Sequence, residues 1–302
     1  MILVDKQKKI LNLKNKLNAI ILAHNYQLPE IQDIADFLGD SLELSRKVEN
    51  LKSEHIFFCG VQFMAETAKI ISPNKHIYLP NPRAGCEMAD MVDIKSLEEF
   101  KQKHHGASVL CYVNTTAETK TECDICCTSA NAVNIANKIE NNKIIFVPDK
   151  NLAAYVRAKT EKEIIPFPGF CYVHNFITKN DIKNARELYP DAVIIIHPES
   201  TLEASLAADH VLSTGGMVRF VKETDTKSII IGTEEGIVYR LQKENPDKHI
   251  IPLKSGLICK GMKAITIDDL LKSMTHLQYE ITLPDDIIQR AYNPIKRMLE
   301  LS

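Results

Sequence analysis

Charge of one sign is what this sequence most plainly lacks. Its 37 Lys and Arg stand against 39 Asp and Glu, for a formal net charge of −2. No global basic field favours nucleic acid, and no acidic excess suggests a solvating tail. A helix-turn-helix pattern and a basic stripe are also missing. No apolar run approaches the roughly 18 residues of a membrane span. Residues 1 to 9 are charged and lack the apolar stretch and small-residue cleavage site of a secretory leader, so the expected compartment is a reducing cytoplasm. With only 11 Gly and 13 Pro, 45% hydrophobic and 25% charged residues, the chain is neither collagen-like nor disordered nor a coiled coil. What remains is a globular protein with a small-molecule role. Its eight cysteines are then thiols, metal ligands or catalysts. Length alone suggests two domains, a prior that repeats can overturn.

A faint repeat is present, and it does overturn that prior. Three short apolar runs end in polar residues about 85 to 90 positions apart: Ala19 to His24, Val109 to Val113 and Val193 to Ile196. Each leads into a helical stretch with a Ser/Thr element, Gly39-Asp40-Ser41, Cys127-Thr128-Ser129 or Ser213-Thr214-Gly215. A second apolar run follows in each unit (His55 to Cys59, Lys143 to Val147, Ser228 to Ile231), and then a third (Ile77 to Leu79, Ile164 to Phe167, Ile250 to Leu253). The units open with helices predicted at Asp5 to Leu17, Ile94 to Lys103 and Lys179 to Leu188. Short, wholly apolar strands alternating with helices indicate parallel sheets covered on both faces. The expected fold is α/β, three αβα domains spanning 1–86, 87–171 and 172–259. Ile267 to Leu277 starts the helix pattern a fourth time, and the strand-like Tyr279 to Leu283 follows. The tail 260–302 is expected to return and complete the first sheet.

A cysteine closes every unit. Cys86, Cys171 and Cys259 stand 85 and 88 residues apart, in step with the repeat. Functional groups in open α/β units collect beyond the carboxyl ends of the strands, so three units packed about a pseudo-threefold axis would bring three thiols to one central cavity. Structural zinc takes four ligands in local pairs, which these are not. A cube held by three thiolates would leave one iron open for catalysis. The same cysteines also fit as small buried hydrophobes. Cys123, Cys126 and Cys127 include a C-x2-C pair with no second pair at metal spacing, so metal or redox chemistry competes with packing there. Cys59 and Cys111 fall inside predicted strands and read as core. Ser41, Ser129, Asn131 and Thr214 sit at predicted helix starts, where hydroxyls either cap the helix or bind anions. His24 and His197 end equivalent strands, with His174 a further candidate, and His197 with Glu199 offers a proton-transfer pair. Tyr26 and Tyr112 add phenols.

These residues fall within stretches that resemble the quinolinate synthase family, iron-sulfur enzymes of NAD biosynthesis. The stretches are HNYQLPEIQDIADFLGDS (24–41), NPRAGCEMADM (81–91), YVNTTAETK (112–120), CTSANAV (127–133), GFCYVH (169–174), HPES (197–200), LSTGGM (212–217) and IGTEEGIVYRLQKENPDK (231–248). They run in order over nearly the whole chain. The resemblance implies three homologous αβα domains about a pseudo-threefold axis with the active site at the centre. It also implies one 4Fe-4S cluster on Cys86, Cys171 and Cys259, and condensation of iminoaspartate with dihydroxyacetone phosphate to quinolinate with loss of phosphate and water. An aspartate-oxidising enzyme would supply the iminoaspartate. Contacts to that substrate would be His24, Ser41, Tyr112, Asn114, Ser129, His197, Glu199 and Thr214; catalytic roles fall to Glu199, Tyr26, His174 and Tyr112. Two departures stand out. Some family members carry C-x2-C-x2-C near the C-terminus where this chain has Cys259 alone, and Ser200 follows Glu199 where cysteine is often expected. A different hydro-lyase on a hydroxy acid would share the open-iron logic and is separated by whether dihydroxyacetone phosphate is consumed. An iron-sulfur sensor would need a nucleic-acid module.

Overall fold

The computed structural model describes residues 2–302. Each predicted apolar run forms a strand within a residue or so of its expected bounds, and each unit adds one short strand that hydrophobic pattern did not reveal. The first sheet holds β1 (Ala19–His24), β2 (Phe37–Gly39), β3 (His55–Cys59) and β4 (His76–Tyr78). The second holds β5 (Ser108–Tyr112), β6 (Ile125–Cys127), β7 (Lys143–Val147) and β8 (Glu163–Pro166); the third holds β9 (Val193–Ile196), β10 (His210–Val211), β11 (Ser228–Gly232) and β12 (His249–Pro252). All three sheets share one order, β2-β1-β3-β4 and its equivalents, and all their strand pairs are parallel.

That order explains both the covered faces and the site. From β1 the chain moves to one side to form β2, then crosses back to the other side for β3 and β4. Right-handed crossovers therefore place helices on opposite faces, and the reversal opens a crevice at the carboxyl ends of β1 and β3. Burial on both faces makes the strands continuous apolar runs. In β9, Ile195 joins the main core while Ile194 and Ile196 join a second cluster with Val173 and Ile182. Each such buried side chain contributes about 1.5–3 kcal/mol.

The short edge strands are fixed by a polar clamp. Asp36, Asp124 and Asp209 each precede an edge strand and accept a central-strand N–H fifteen residues back, from Ile21, Val109 and Ile194, at 2.8, 2.7 and 2.8 Å. Helix starts repeat as faithfully. Asp93, Thr178 and Thr266 each form a capping box, which holds two otherwise unpaired N–H groups.

The tail returns to the first unit, but without the expected strand. Helix Ile267–His276 packs on the first helix, Leu3–Leu17. The segment Tyr279 to Leu283 is not a strand: Leu277 and Tyr279 have φ of 51° and 68°, left-handed values that interrupt extended pairing. One antiparallel bridge remains, Tyr78 with Glu280. The last helix, Asp285–Leu301, then lies against β6 of the second unit and against helix Gln62–Ile71 of the first.

Candidate active site

One cavity is lined from all three units. All thirteen residues singled out from the sequence as cysteine ligands, substrate contacts or catalysts border it.

Its hydroxyls come from helix starts, and neighbours relieve two of them of capping duty. Asp40 caps helix Ser41–Glu49 by accepting the Leu42 and Glu43 N–H groups, both at 3.0 Å. Ser213 caps helix Thr214–Glu223 by accepting the Gly216 N–H at 3.1 Å, and donates its own proton to Asp40 at 3.1 Å. That contact locks the two helix starts together. A Cβ on Gly215 would lie 2.6 Å from Asp40 Oδ2, so only glycine allows the approach. Ser41 and Thr214 are left to the cavity, Thr214 accepting from the Asn25 amide at 3.0 Å. Ser129 lies two residues before the N-cap rather than at it. Asn131 occupies the N-cap without capping; its Oδ1 instead accepts the Thr128 N–H at 2.6 Å. Asn114 turns a buried Oδ1 without any partner to this space, as expected where a ligand completes the hydrogen bonding.

The strand-end histidines share one device. His24 Nδ1 accepts the N–H of Tyr26 at 3.2 Å, and His197 Nδ1 accepts the N–H of Glu199 at 3.4 Å. A neutral ring so engaged carries its proton on Nε2. Burial lowers both to about 3, so each presents a neutral Nε2–H donor; that of His197 lies 3.2 Å from Ser129 Oγ.

The expected proton-transfer pair of His197 with Glu199 is corrected by distance. His197 Nδ1 is 3.8 Å from the carboxylate, whereas His174 Nδ1 is 2.6 Å from Glu199 Oε2. The peptide N–H already occupies His197 Nδ1, which leaves His174 as the true partner. Tyr112 donates to Glu199 Oε1 at 2.5 Å. On the far side, His174 Nε2 meets Thr233 Oγ1 at 2.7 Å, and Thr233 bonds to the Tyr26 hydroxyl. The result is a continuous chain Tyr112–Glu199–His174–Thr233–Tyr26. Burial alone would raise the Glu199 carboxyl, but His197, His174 and the Tyr112 hydroxyl hold it down at about 2. Burial drives both phenols well above 10, with Glu199 raising them further.

Three sulfurs face this chain. Cys86, Cys171 and Cys259 are half-buried, while the other five cysteines are buried. Downstream backbone N–H groups favour each thiolate: those of Ala89 and Met88 at Cys86, of His174 at Cys171, and of Met262 and Gly261 at Cys259. Burial pushes all three thiols up, Cys259 to about 11. A Cβ on Gly261 would fall 2.0 Å from the Gly85 carbonyl oxygen, so glycine is what lets the Cys259 turn abut the Cys86 turn. Two sulfurs on one tetrahedral ion stand about 3.8 Å apart at a metal–sulfur distance near 2.3 Å. Among the described residues, the donor group gathered within 4.8 Å is instead Cys171, His174 and Glu199. Both His174 nitrogens there are already engaged. The three cysteine sulfurs do not all lie within 4.8 Å of one another, so as placed they do not close on a single ion, and an all-thiol donor set suits a soft metal centre.

A family model described as Quinolinate synthetase A protein matches residues 8–300. The chain belongs to the quinolinate synthetase A family. It is 51% identical over 293 residues to the quinolinate synthase of Dehalococcoides mccartyi strain CBDB1, covering 97% of both chains. It is 50% identical over 300 residues to that of Pyrococcus furiosus, covering 99% of this chain and 98% of that one. The same name and 50% identity hold for the Thermodesulfovibrio yellowstonii relative over 295 residues.

In this quinolinate synthetase A chain, sequence reasoning missed Thr233, Glu234 and Asp40. Thr233 and Glu234 follow β11, and the strand-end rule applied to the first strand of each unit would have found them on the second. Cys126 and Cys127 lie in β6; Cys59 and Cys111 lie in β3 and β5 and are fully buried, as expected of core. No helix among the described residues is long and apolar enough to cross a membrane.

Proposed function

We propose that the chain condenses iminoaspartate with dihydroxyacetone phosphate to form quinolinate, releasing phosphate and two molecules of water, in the cytoplasm and downstream of an aspartate-oxidising enzyme. The observation that carries this reading is the single cavity in which three dispersed cysteines face a buried Tyr112–Glu199–His174–Thr233–Tyr26 chain. Cys86, Cys171 and Cys259 would hold a 4Fe-4S cluster, and three protein ligands leave one iron open. When bound, that iron supplies Lewis acidity towards a hydroxyl or carboxylate oxygen.

The protein's own groups account for the remainder. His24 and His197 donate Nε2–H to substrate carboxylates, Ser41 and Thr214 add hydroxyls at helix starts, where anions are favoured, and Ser129 adds one from the turn ahead of its helix. The unpartnered Asn114 Oδ1 accepts from the substrate nitrogen or a hydroxyl. Glu199, ionised and hydrogen-bonded to His174, takes up the proton released as the new bonds form. Tyr112 stabilises the carboxylate, and Thr233 links His174 to the Tyr26 phenol, so a proton can leave or enter at either end. Enclosure strengthens each of these interactions by excluding water.

The test is anaerobic purification with iron and sulfide quantified, followed by assay with both substrates. About four irons per chain and quinolinate formation dependent on dihydroxyacetone phosphate are expected. Iron-replete protein that leaves dihydroxyacetone phosphate unconsumed would refute the reading.

A further inference from the structure

Two of the three cavity cysteines have their own backbone N–H groups taken by a buried carboxylate, and both carboxylates occupy one place in the repeat. Asp149 and Glu234 each stand two residues beyond a second-strand end, Val147 of β7 and Gly232 of β11, and both are 0% exposed. Each divides its oxygens in the same way. Asp149 Oδ1 accepts the Leu152 N–H at 2.6 Å, capping helix Lys150–Arg157, while Oδ2 accepts the Cys171 N–H at 3.0 Å. Glu234 Oε2 accepts the Gly236 N–H at 2.7 Å, at the start of helix Gly236–Glu244, while Oε1 accepts the Cys259 N–H at 3.2 Å. Lys263 pairs with Glu234 Oε1 at 3.0 Å.

A helix start needs only one acceptor, and Ser213 shows that a hydroxyl suffices in this protein. Burying a carboxylate is costly unless both oxygens are occupied, and here the second oxygen is spent on a cysteine. In the first unit the equivalent residue, two beyond Cys59, is the apolar Val61. Among the described residues, Cys86 has no such partner.

We propose that Asp149 and Glu234 are positioning residues that fix Cys171 and Cys259 as ligands of the iron-sulfur group; the inference rests on the cluster reading above. Partners that orient metal ligands typically govern about 10- to 100-fold in metal affinity. In Asp149→Asn or Glu234→Gln one acceptor remains for two N–H donors, and the new amide N–H confronts one of them. The cysteine peptide is then free to turn.

The test uses the parent chain, Asp149→Asn, Asp149→Ser and Glu234→Gln, each reconstituted anaerobically with iron and sulfide. Asp149→Ser keeps a one-oxygen cap and so preserves the fold, yet cannot reach Cys171. Bound iron, the visible and paramagnetic resonance spectra of the cluster, its half-life against a chelator and the melting temperature of the metal-free chain are recorded. Asp93→Asn, at an exposed capping box that touches no cysteine, is the control. The three variants should lose iron about tenfold faster or more, with altered cluster spectra, while Asp93→Asn changes melting temperature alone. Parental half-life and spectra in Asp149→Ser and Glu234→Gln would overturn the proposal. A parent chain that binds no iron would overturn the cluster reading instead.

Discussion

Cys123, Cys126 and Cys127 lie within five residues of one another, whereas Cys86, Cys171 and Cys259 are dispersed over most of the chain. The crowded set is turned inward. Cys126 pairs in register with Cys111 on the neighbouring strand, Cys123 donates to the Thr119 carbonyl at 3.1 Å, and Cys111 Sγ lies 3.1 Å from Thr115 Oγ1. The dispersed set borders the cavity, where downstream peptide N–H groups favour each thiolate. Proximity in sequence is therefore a poor guide here. Three copies of one topology bring distant cysteines to a common centre, while a short strand points neighbouring ones into a core.

The sharpest way to break that comparison is to exchange the two sets' fates. Cys86→Ala, Cys171→Ala or Cys259→Ala should each abolish stable iron binding, whereas Cys123→Ser and Cys126→Ser should keep it, as read by iron and sulfide content. Loss in the second pair with retention in the first would reverse the assignment. Next in size is the buried relay opposite the sulfurs. Glu199→Gln should slow single-turnover quinolinate formation by roughly 10² to 10⁴ with iron content unchanged, since no ligand is touched. A cluster-replete Glu199→Gln protein at the parental rate would remove Glu199 from the mechanism.

Ser129→Ala probes the rim of the same cavity. A hydrogen bond to a charged partner contributes roughly 1.5–3 kcal/mol, so substrate affinity or turnover should fall about tenfold or more; unchanged kinetics would leave Ser129 without a binding role. The smallest effect belongs to the crowded set. Cys126→Ala should cost about 1 kcal/mol of stability through a small cavity and leave iron content and turnover at parental values. Any fall in turnover per iron would show that these thiols reach the centre after all.

Much of the architecture was legible because strands buried on both faces leave unbroken apolar runs such as Ile194 to Ile196 and Ile144 to Val147. The edge strands were not legible. β10 has two residues, too few for any period, and its anchor is a single aspartate; the recurring Asp36, Asp124 and Asp209 were the available signal. Tyr279 to Leu283 misled because its apolar content matches a strand, while its conformation follows from left-handed residues at 277 and 279 that composition does not announce. At the site, the repeat located the strand-end histidines but not their partners. His197 and Glu199 are neighbours in sequence, yet the closer contact to Glu199 comes from His174, twenty-five residues away, and that pairing exists only once the third unit has folded. Thr233 was missed because it follows the second strand of its unit, β11, rather than the first.

The wide separation of the three cavity cysteines also sets a timetable. From Cys86 to Cys259 is 173 residues, which takes roughly 9 to 35 seconds to synthesise at about 5–20 residues per second. During that interval a growing chain carries one or two of its three sulfurs, and neither the Gly261 turn that abuts Gly85 nor the final helix that ties the first two units together has yet emerged. On the proposed ligand set, a partly made chain thus presents incomplete donors, and the metal centre can be completed only after Cys259 has been made.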